Sequence, residues 1–169
     1  MYIKYMVGEI TYPKSPAFII PANSCGIMNS RIQRKVVKEG WKKIEKEAKK
    51  EAQKKEYLPG DFFITDAGRL KRRGTKKIFH LVTKKLPSEF ISINVISKGL
   101  SRILAKAIGD KLSSISLCGI GIENGELEKE AVARVIVETC RKYCNNLEIK
   151  IIDEDEEFIN YVEDILKNK

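Results

Sequence analysis

Ala17-Phe18-Ile19-Ile20 is a short, wholly apolar run, and its reading decides the fold. Such a run is expected of a strand buried on both faces, inside a sheet covered on each side by helices. Upstream, residues 2–7 alternate and then meet Gly8, which predicts an opening strand. Downstream, the spacing predicts a helix from Arg31 to Glu56 with Trp41, Ile44, Ala48 and Ala52 facing inward, stopped by Leu58-Pro59-Gly60. Phe62–Thr65 and Ile78–Val82 read as the next two strands, joined by a basic turn.

A helix capped by Ser88 is expected to run to Lys111 and to bury Ile91, Val95, Leu100, Ile103, Leu104 and Ile108. Ser114–Leu117 reads as a strand, and Glu126–Tyr143 as a helix packing Leu127, Ala131, Val135, Ile136 and Cys140. Leu147–Ile152 is the last expected strand. A final helix, Asp155–Lys167, buries Phe158, Val162, Ile165 and Leu166, and Asp153, Glu154 and Asp155 at its start suit the helix dipole. The order β-β-α-β-β-α-β-α-β-α shows no repeat, low-complexity segment or linker. One domain over 1–169 follows, an α/β fold of the three-layer α/β/α sandwich type with a central mixed β-sheet. Ligands in such sheets bind beyond the carboxyl ends of the strands, here the loops after residues 20, 117 and 152.

The chain has 169 residues, 43% hydrophobic and 33% charged, with a thermophile-like excess of Lys, Glu and Ile. No apolar run approaches the ~20 residues needed to span a bilayer, so no membrane partner is expected. A signal-peptide layout is absent from the N-terminus, and a cytoplasmic protein with reduced cysteines is expected. Cys140 and Cys144 share a helix face while Cys25 and Cys118 stand apart, which suits free thiols better than a metal or cofactor site. The net charge of +9 has two sources. Lys35–Lys55 mixes Lys with Glu at helical spacing, with i,i+4 pairs Glu39–Lys43, Glu45–Lys49 and Glu51–Lys55 expected on a solvated face. Arg69, Lys71, Arg72, Arg73, Lys76 and Lys77 form a dense basic turn, either solvated or a polyanion contact.

Gly8-Glu9-Ile10-Thr11, then Ile19-Ile20-Pro21-Ala22-Asn23, then Gly60, Thr65, Ala67-Gly68, Leu70 and Ile78-Phe79-His80-Leu81-Val82 follow one another at set spacings. With Ser114–Leu117, a Gly-containing loop and the helix opening Leu127-Glu128-Lys129, they resemble the macro-domain family over nearly the whole chain. The resemblance implies binding of ADP-ribose or a related nucleotide. It implies that Glu9 accepts from the adenine amino group and that Ile10 offers its backbone amide beside the purine. Asn23 resembles the family asparagine that faces the terminal ribose; its alternative is a turn residue after a strand. His80 is kept away from the ligand in the family and is expected to be structural.

The resemblance breaks in the loops that hold the diphosphate, where glycine lets backbone N–H groups wrap the anion. The first, Ser24-Cys25-Gly26-Ile27-Met28-Asn29-Ser30-Arg31-Ile32, has Asn29 and Arg31 at two positions where the family has glycine. Asn29 tolerates the left-handed conformation. Arg31 either pairs with a phosphate or fills its space. The second loop keeps Gly119, Gly121 and Gly125 with Ile120 and Ile122, but begins with Cys118 in place of proline, is shortened, and brings in Glu123. Glu123 either repels a diphosphate or points to solvent. Ile152 stands where the family often has an aromatic ring over adenine. The usual catalytic residues of the hydrolytic members are not matched: their asparagine falls on Ile20 and their acidic residue near Gln33. Binding is therefore the expectation ahead of weak ADP-ribosyl hydrolase activity. The alternatives are a nucleic-acid or polyanion binder on the same scaffold, using Arg31 and the basic turn, and a degenerate domain used for assembly.

Overall fold

Side chains that alternate along the central strands divide the core into two apolar layers. In the computed structural model, which describes residues 3–168, Ala17 and Ile19 of β2 (Ala17–Asn23) enter one layer while Phe18, Ile20 and Ala22 enter the other. The same division runs through β4 (Lys77–Lys84), with Phe79 and Leu81 on one side and Ile78 and Val82 on the other. It recurs in β6 (Glu148–Asp153), where Ile149 and Ile151 oppose Ile152. These three strands are joined in one sheet by β1 (Ile3–Val7), β3 (Phe62–Asp66) and β5 (Ser114–Leu117), in the order β1-β6-β5-β2-β4-β3. All neighbours are parallel except β3, which closes one edge antiparallel to β4. Tyr2, expected in the first strand, lies outside the described residues.

Helices α1 (Arg31–Gly40) and α2 (Lys43–Ala52) cover the face of Phe18 and Ile20. Helices α3 (Asn94–Gly109), α4 (Lys129–Arg141) and α5 (Glu156–Lys167) cover the other. The fold is thus the expected α/β/α sandwich with a mixed sheet. Asp155 caps α5 by accepting from the Phe158 amide at 2.9 Å, one of the boundaries legible in the chain.

Other boundaries differ from expectation for physical reasons. The helix expected over Arg31–Glu56 is broken between Gly40 and Lys43. There a short 3-10 helix, Gly68–Arg73, packs its Gly68 against the Gly40 carbonyl, a contact that leaves no room for a side chain. Trp41 turns out at φ 87° and is 49% exposed, so it faces solvent and not the core. Across the break Glu39 pairs with Arg73, and at the end of α2, which stops at Ala52, Glu51 pairs with Lys54; neither meets the lysine four residues on. Ser88 caps nothing; Glu126 accepts from the Ile91 amide at 2.8 Å and holds residues 85–93 as a loop, so α3 starts at Asn94. The Leu127 amide is likewise taken by the Gly121 carbonyl, which delays α4 to Lys129. Because α4 packs on both α3 and α5, its buried residues are Val132, Ala133, Ile136, Val137 and Cys140, with Ala131 and Val135 only half-buried.

Candidate functional site

Strands β2, β5 and β6 are parallel neighbours, so their carboxyl ends open on the same edge of the sheet. The chain leaves β2 for α1 on one face and β5 for α4 on the other. A crevice forms where such connections diverge. It is a cleft of about 950 Å³, and Ser30 and Arg31 at the start of α1 stand on its wall.

The first loop is braced internally. Asn23 is buried; its Oδ1 accepts from the amides of Cys25 at 3.1 Å and Ile27 at 3.2 Å, and its Nδ2 donates to the Ile27 carbonyl at 2.8 Å. The side chain that the resemblance aims at a ribose is therefore also the turn-forming residue of this loop. Gly26, at φ +69°, does not line the cleft; a Cβ there would lie 2.5 Å from the Ala48 carbonyl, so this glycine serves the close approach of the loop to α2. Asn29 lines the cleft without adopting the left-handed conformation. Ser30 and Gln33 form a capping box at the start of α1, and Gln33 also donates to the Pro21 carbonyl at 2.8 Å. The Ser30 hydroxyl is thus engaged in holding the helix end in place.

In the second loop the Gly119 amide donates to Asp153 Oδ2 at 2.8 Å, and Asp153 Oδ1 accepts from the Asp155 amide at 2.8 Å. Burial raises the Asp153 pKa above the usual carboxylate value, against the pull of these two amides. Gly121 and Ile122 line the cleft, but Ile120 is wholly buried in the core and does not. Gly121 sits at φ +81° with the Leu127 side chain against it.

Glu123 takes neither of the orientations expected of it. Its Oε1 accepts from the Ile32 amide at 3.0 Å and its Oε2 from the Arg31 amide at 3.4 Å. It thereby occupies the unpaired N–H groups at the start of α1, where the helix dipole favours an anion. Arg31 is exposed and approaches Glu154 at 4.0 Å.

One turn further along α1, Lys35 Nζ bridges Glu9 Oε1 at 2.7 Å and Glu154 Oε1 at 2.8 Å. Its pKa is raised, first by the hydrogen bond it donates to Glu154 and then by the one it donates to Glu9. Glu9 Oε2 is buried with no partner among the described residues, and beside it the Ile10 amide donates to no acceptor there. Ile10 and Ile152 are buried and line the same region. Five consecutive carboxylates, Asp153 to Glu157, join Glu9, Glu123 and Glu126 on the wall, against Arg31, Lys35, Lys84 and Lys129. Each lysine is already matched: Lys84 to Glu126 at 3.4 Å, and Lys129 to Asp155 at 2.8 Å.

Groups with nucleophilic or acid–base chemistry are poorly disposed. Burial pushes the Cys118 thiol well up, which keeps it protonated and unreactive. His80 is buried away from the cleft, bonded to Thr65 Oγ1 at 2.8 Å and stacked on Phe63 at 4.6 Å, and desolvation lowers its pKa to about 3.

The Macro domain family model matches residues 19–136, which span the first loop, the basic turn and the second loop. The chain belongs to the macro domain family. An uncharacterized protein of Aquifex aeolicus (strain VF5) is 31% identical over 98% of this chain and 98% of its own length. Among solved structures, the macrodomain of Mycobacterium tuberculosis DarG superposes with TM-score 0.78 at 22% identity, over 89% of this chain and 97% of that one. The Oceanobacillus iheyensis macrodomain with ADP gives TM-score 0.84 at 17% identity, over 96% of this chain and 88% of that one. At these identities the two structures establish the macro-domain fold.

Reading the chain alone missed Lys35, Asp153 and the place of Glu123 in this macro domain. Lys35 carried a signal, lying four residues after Arg31 and hence on the same helix face, but it was absorbed into a lysine-rich helix. Asp153 looked like a helix-dipole residue. Only the fold brings it to Gly119.

Proposed function

We propose that this macro domain binds ADP-ribose or a related nucleotide derivative in the cleft between the ends of β2, β5 and β6. One observation carries the reading. Among the described residues Glu9 Oε2 is a buried acceptor without a partner, beside the unengaged amide of Ile10. An acceptor next to a donor complements the edge of adenine, whose amino group donates while the adjacent ring nitrogen accepts. Ile10 and Ile152 supply apolar surface for the ring. Asn23, Asn29, Ser30 and Arg31 lie towards the remainder of the ligand, with Gly121 and Ile122 across from them. Structural relatives give the reading a chemical precedent: the Oceanobacillus iheyensis macrodomain was solved with ADP, a mutant of it with ADPR, and the Trypanosoma brucei macrodomain in complex with ADP.

The diphosphate belongs at the amides of Arg31 and Ile32, where Glu123 now sits. Binding therefore exchanges an internal carboxylate for an external anion. The gain from that exchange is smaller than for an empty seat, because the helix end is already satisfied. Affinity for ADP-ribose is accordingly modest. The activity proposed is binding, with hydrolysis at most a weak accompaniment. A reducing compartment, the cytoplasm, suits the four free thiols.

Calorimetric titration with ADP-ribose, AMP and ribose 5-phosphate tests the reading. ADP-ribose is expected to bind and to raise the melting temperature. Glu9→Ala is expected to weaken ADP-ribose by about tenfold, the scale of one charge-assisted hydrogen bond, while leaving ribose 5-phosphate unchanged. Absence of any heat or thermal shift at millimolar ADP-ribose would sink the proposal.

A further inference from the structure

We propose a second binding site, for single-stranded nucleic acid, at the C-terminal end of α1 with Trp41 as its stacking platform. The site stands apart from the cleft. Helix α1 has ten residues, so roughly 15 Å of helix separates its two ends. The 3-10 helix Gly68–Arg73 follows β3, whose last residue, Asp66, pairs with the first residue of β4, Lys77. This places the basic turn at the end of the sheet opposite the carboxyl ends of the parallel strands.

Trp41 is the sole tryptophan of the chain. Its backbone, φ 87° and ψ 159°, lies in a region ordinarily left to glycine, yet the residue there is the largest of all and half of it is in solvent. The Arg69 guanidinium lies 3.9 Å from the centre of its ring. A second exposed aromatic repeats the arrangement: Tyr12 has Arg73 5.0 Å from its ring centre. Arg73 is anchored by Glu39 at 2.9 Å and by the Thr11 carbonyl at 3.3 Å, which ties the Tyr12 loop to the last turn of α1. Gly40 and Gly68 permit the close contact that brings Arg69 beneath this helix end.

Exposed cations sit on the segments that carry the two rings and their guanidinium partners. Lys38, Lys42, Arg69, Arg72 and Lys76 are exposed, and among the described residues they have no carboxylate within ion-pair distance. Two acids that reach this face, Glu39 and Asp66, are taken by Arg73 and Lys71. A solvated lysine face requires no aromatic side chain held on strained backbone. Free guanidinium and ammonium groups on the same segments as exposed rings suit a backbone of phosphates carrying unpaired bases, since every base has a face to stack and every link a charge. A duplex hides its base faces and uses only the charges. The inference is independent of the nucleotide assigned to the cleft.

Titrating the full chain with a short oligouridine RNA, an oligothymidine DNA of equal length, a duplex of that length and heparin tests it. The fluorescence of Trp41 reports occupancy directly, because no other tryptophan contributes. Single strands are expected to quench it and to bind with a steep salt dependence. Three or four phosphate contacts correspond to a log–log slope of about −2 to −3. Trp41→Gly suits the existing backbone and so keeps the fold. It is expected to weaken single strands by about tenfold or more, measured by anisotropy, and to leave heparin unaffected. Arg72→Gln is expected to make the slope shallower by roughly one contact. A preference for RNA or for DNA identifies the source and supports the site either way. The proposal is overturned by absence of binding at low salt. It is equally overturned by duplex or heparin binding as tightly as single strands with Trp41→Gly silent, which is charge attraction alone.

Discussion

At the N-terminal end of α1 the amides of Arg31 and Ile32 meet a carboxylate from a loop 91 residues away in the chain. At the C-terminal end, ten residues on, Trp41 leaves the helix among Lys38, Lys42 and Arg69. Both ends obey the same electrostatics, since acids complement the amino end of a helix and cations its carboxyl end. They differ in what is left unmatched. In the cleft each lysine has an internal carboxylate, whereas at the Trp41 end several cations have none among the described residues. The net charge of +9 is therefore a poor guide to the cleft, whose wall carries more acids than bases. A polyanion drawn by the excess charge goes to the Trp41 end, and a small ligand in the cleft must exchange with charges already there.

The contrast between the ends is open to mutation, and the largest effect is expected at Gly68. Its φ of +55° and its contact with the Gly40 carbonyl both exclude a side chain. Gly68→Ala is expected to cost on the order of 2–4 kcal/mol in urea unfolding, through strain and displacement of the basic turn. An alanine tolerated without loss would mean that the two ends are not held apart by this contact.

Glu123→Ala should act in two opposite directions. Removing the anion from the helix end costs roughly 0.3–1 kcal/mol of stability. The same change vacates the amides of Arg31 and Ile32, so ADP-ribose is expected to bind about tenfold tighter while adenosine, which lacks the diphosphate, is unchanged. Equal gains for both ligands would remove Glu123 from the phosphate seat.

The smallest effect is expected at Trp41. Glycine relieves the backbone at φ 87°, at the expense of a more flexible unfolded chain. Trp41→Gly is expected to raise stability by up to about 1 kcal/mol in thermal unfolding. A clear loss would mean that the ring supports the fold, and that its exposure is incidental.

Much of the fold was legible because its signals are local. The apolar run at Ala17–Ile20, the alternation of Ile149 and Ile151, and Asp155 before an amphipathic helix each follow from backbone geometry over a few residues. Spacing also carried the motifs at Gly8–Thr11 and around Asn23, and most residues expected to face the ligand do line the cleft. Gly26 and Ile120 do not, for they serve the contact with α2 and the core. A glycine-rich loop in sequence does not say which of its glycines meets a ligand and which meets the protein.

The chain by itself determined the order of strands and helices, because burial periodicity repeats with the geometry of each element. Tertiary structure alone decided how the charges of the cleft are paired and where the long helix breaks. Gly68 reaches Gly40 and breaks the long helix, Asp153 takes the Gly119 amide, and Glu123 crosses to Ile32. Each is a contact between segments distant in sequence, made because the sheet brings loop ends together. No local pattern encodes a partner that only the folding of the intervening chain brings near.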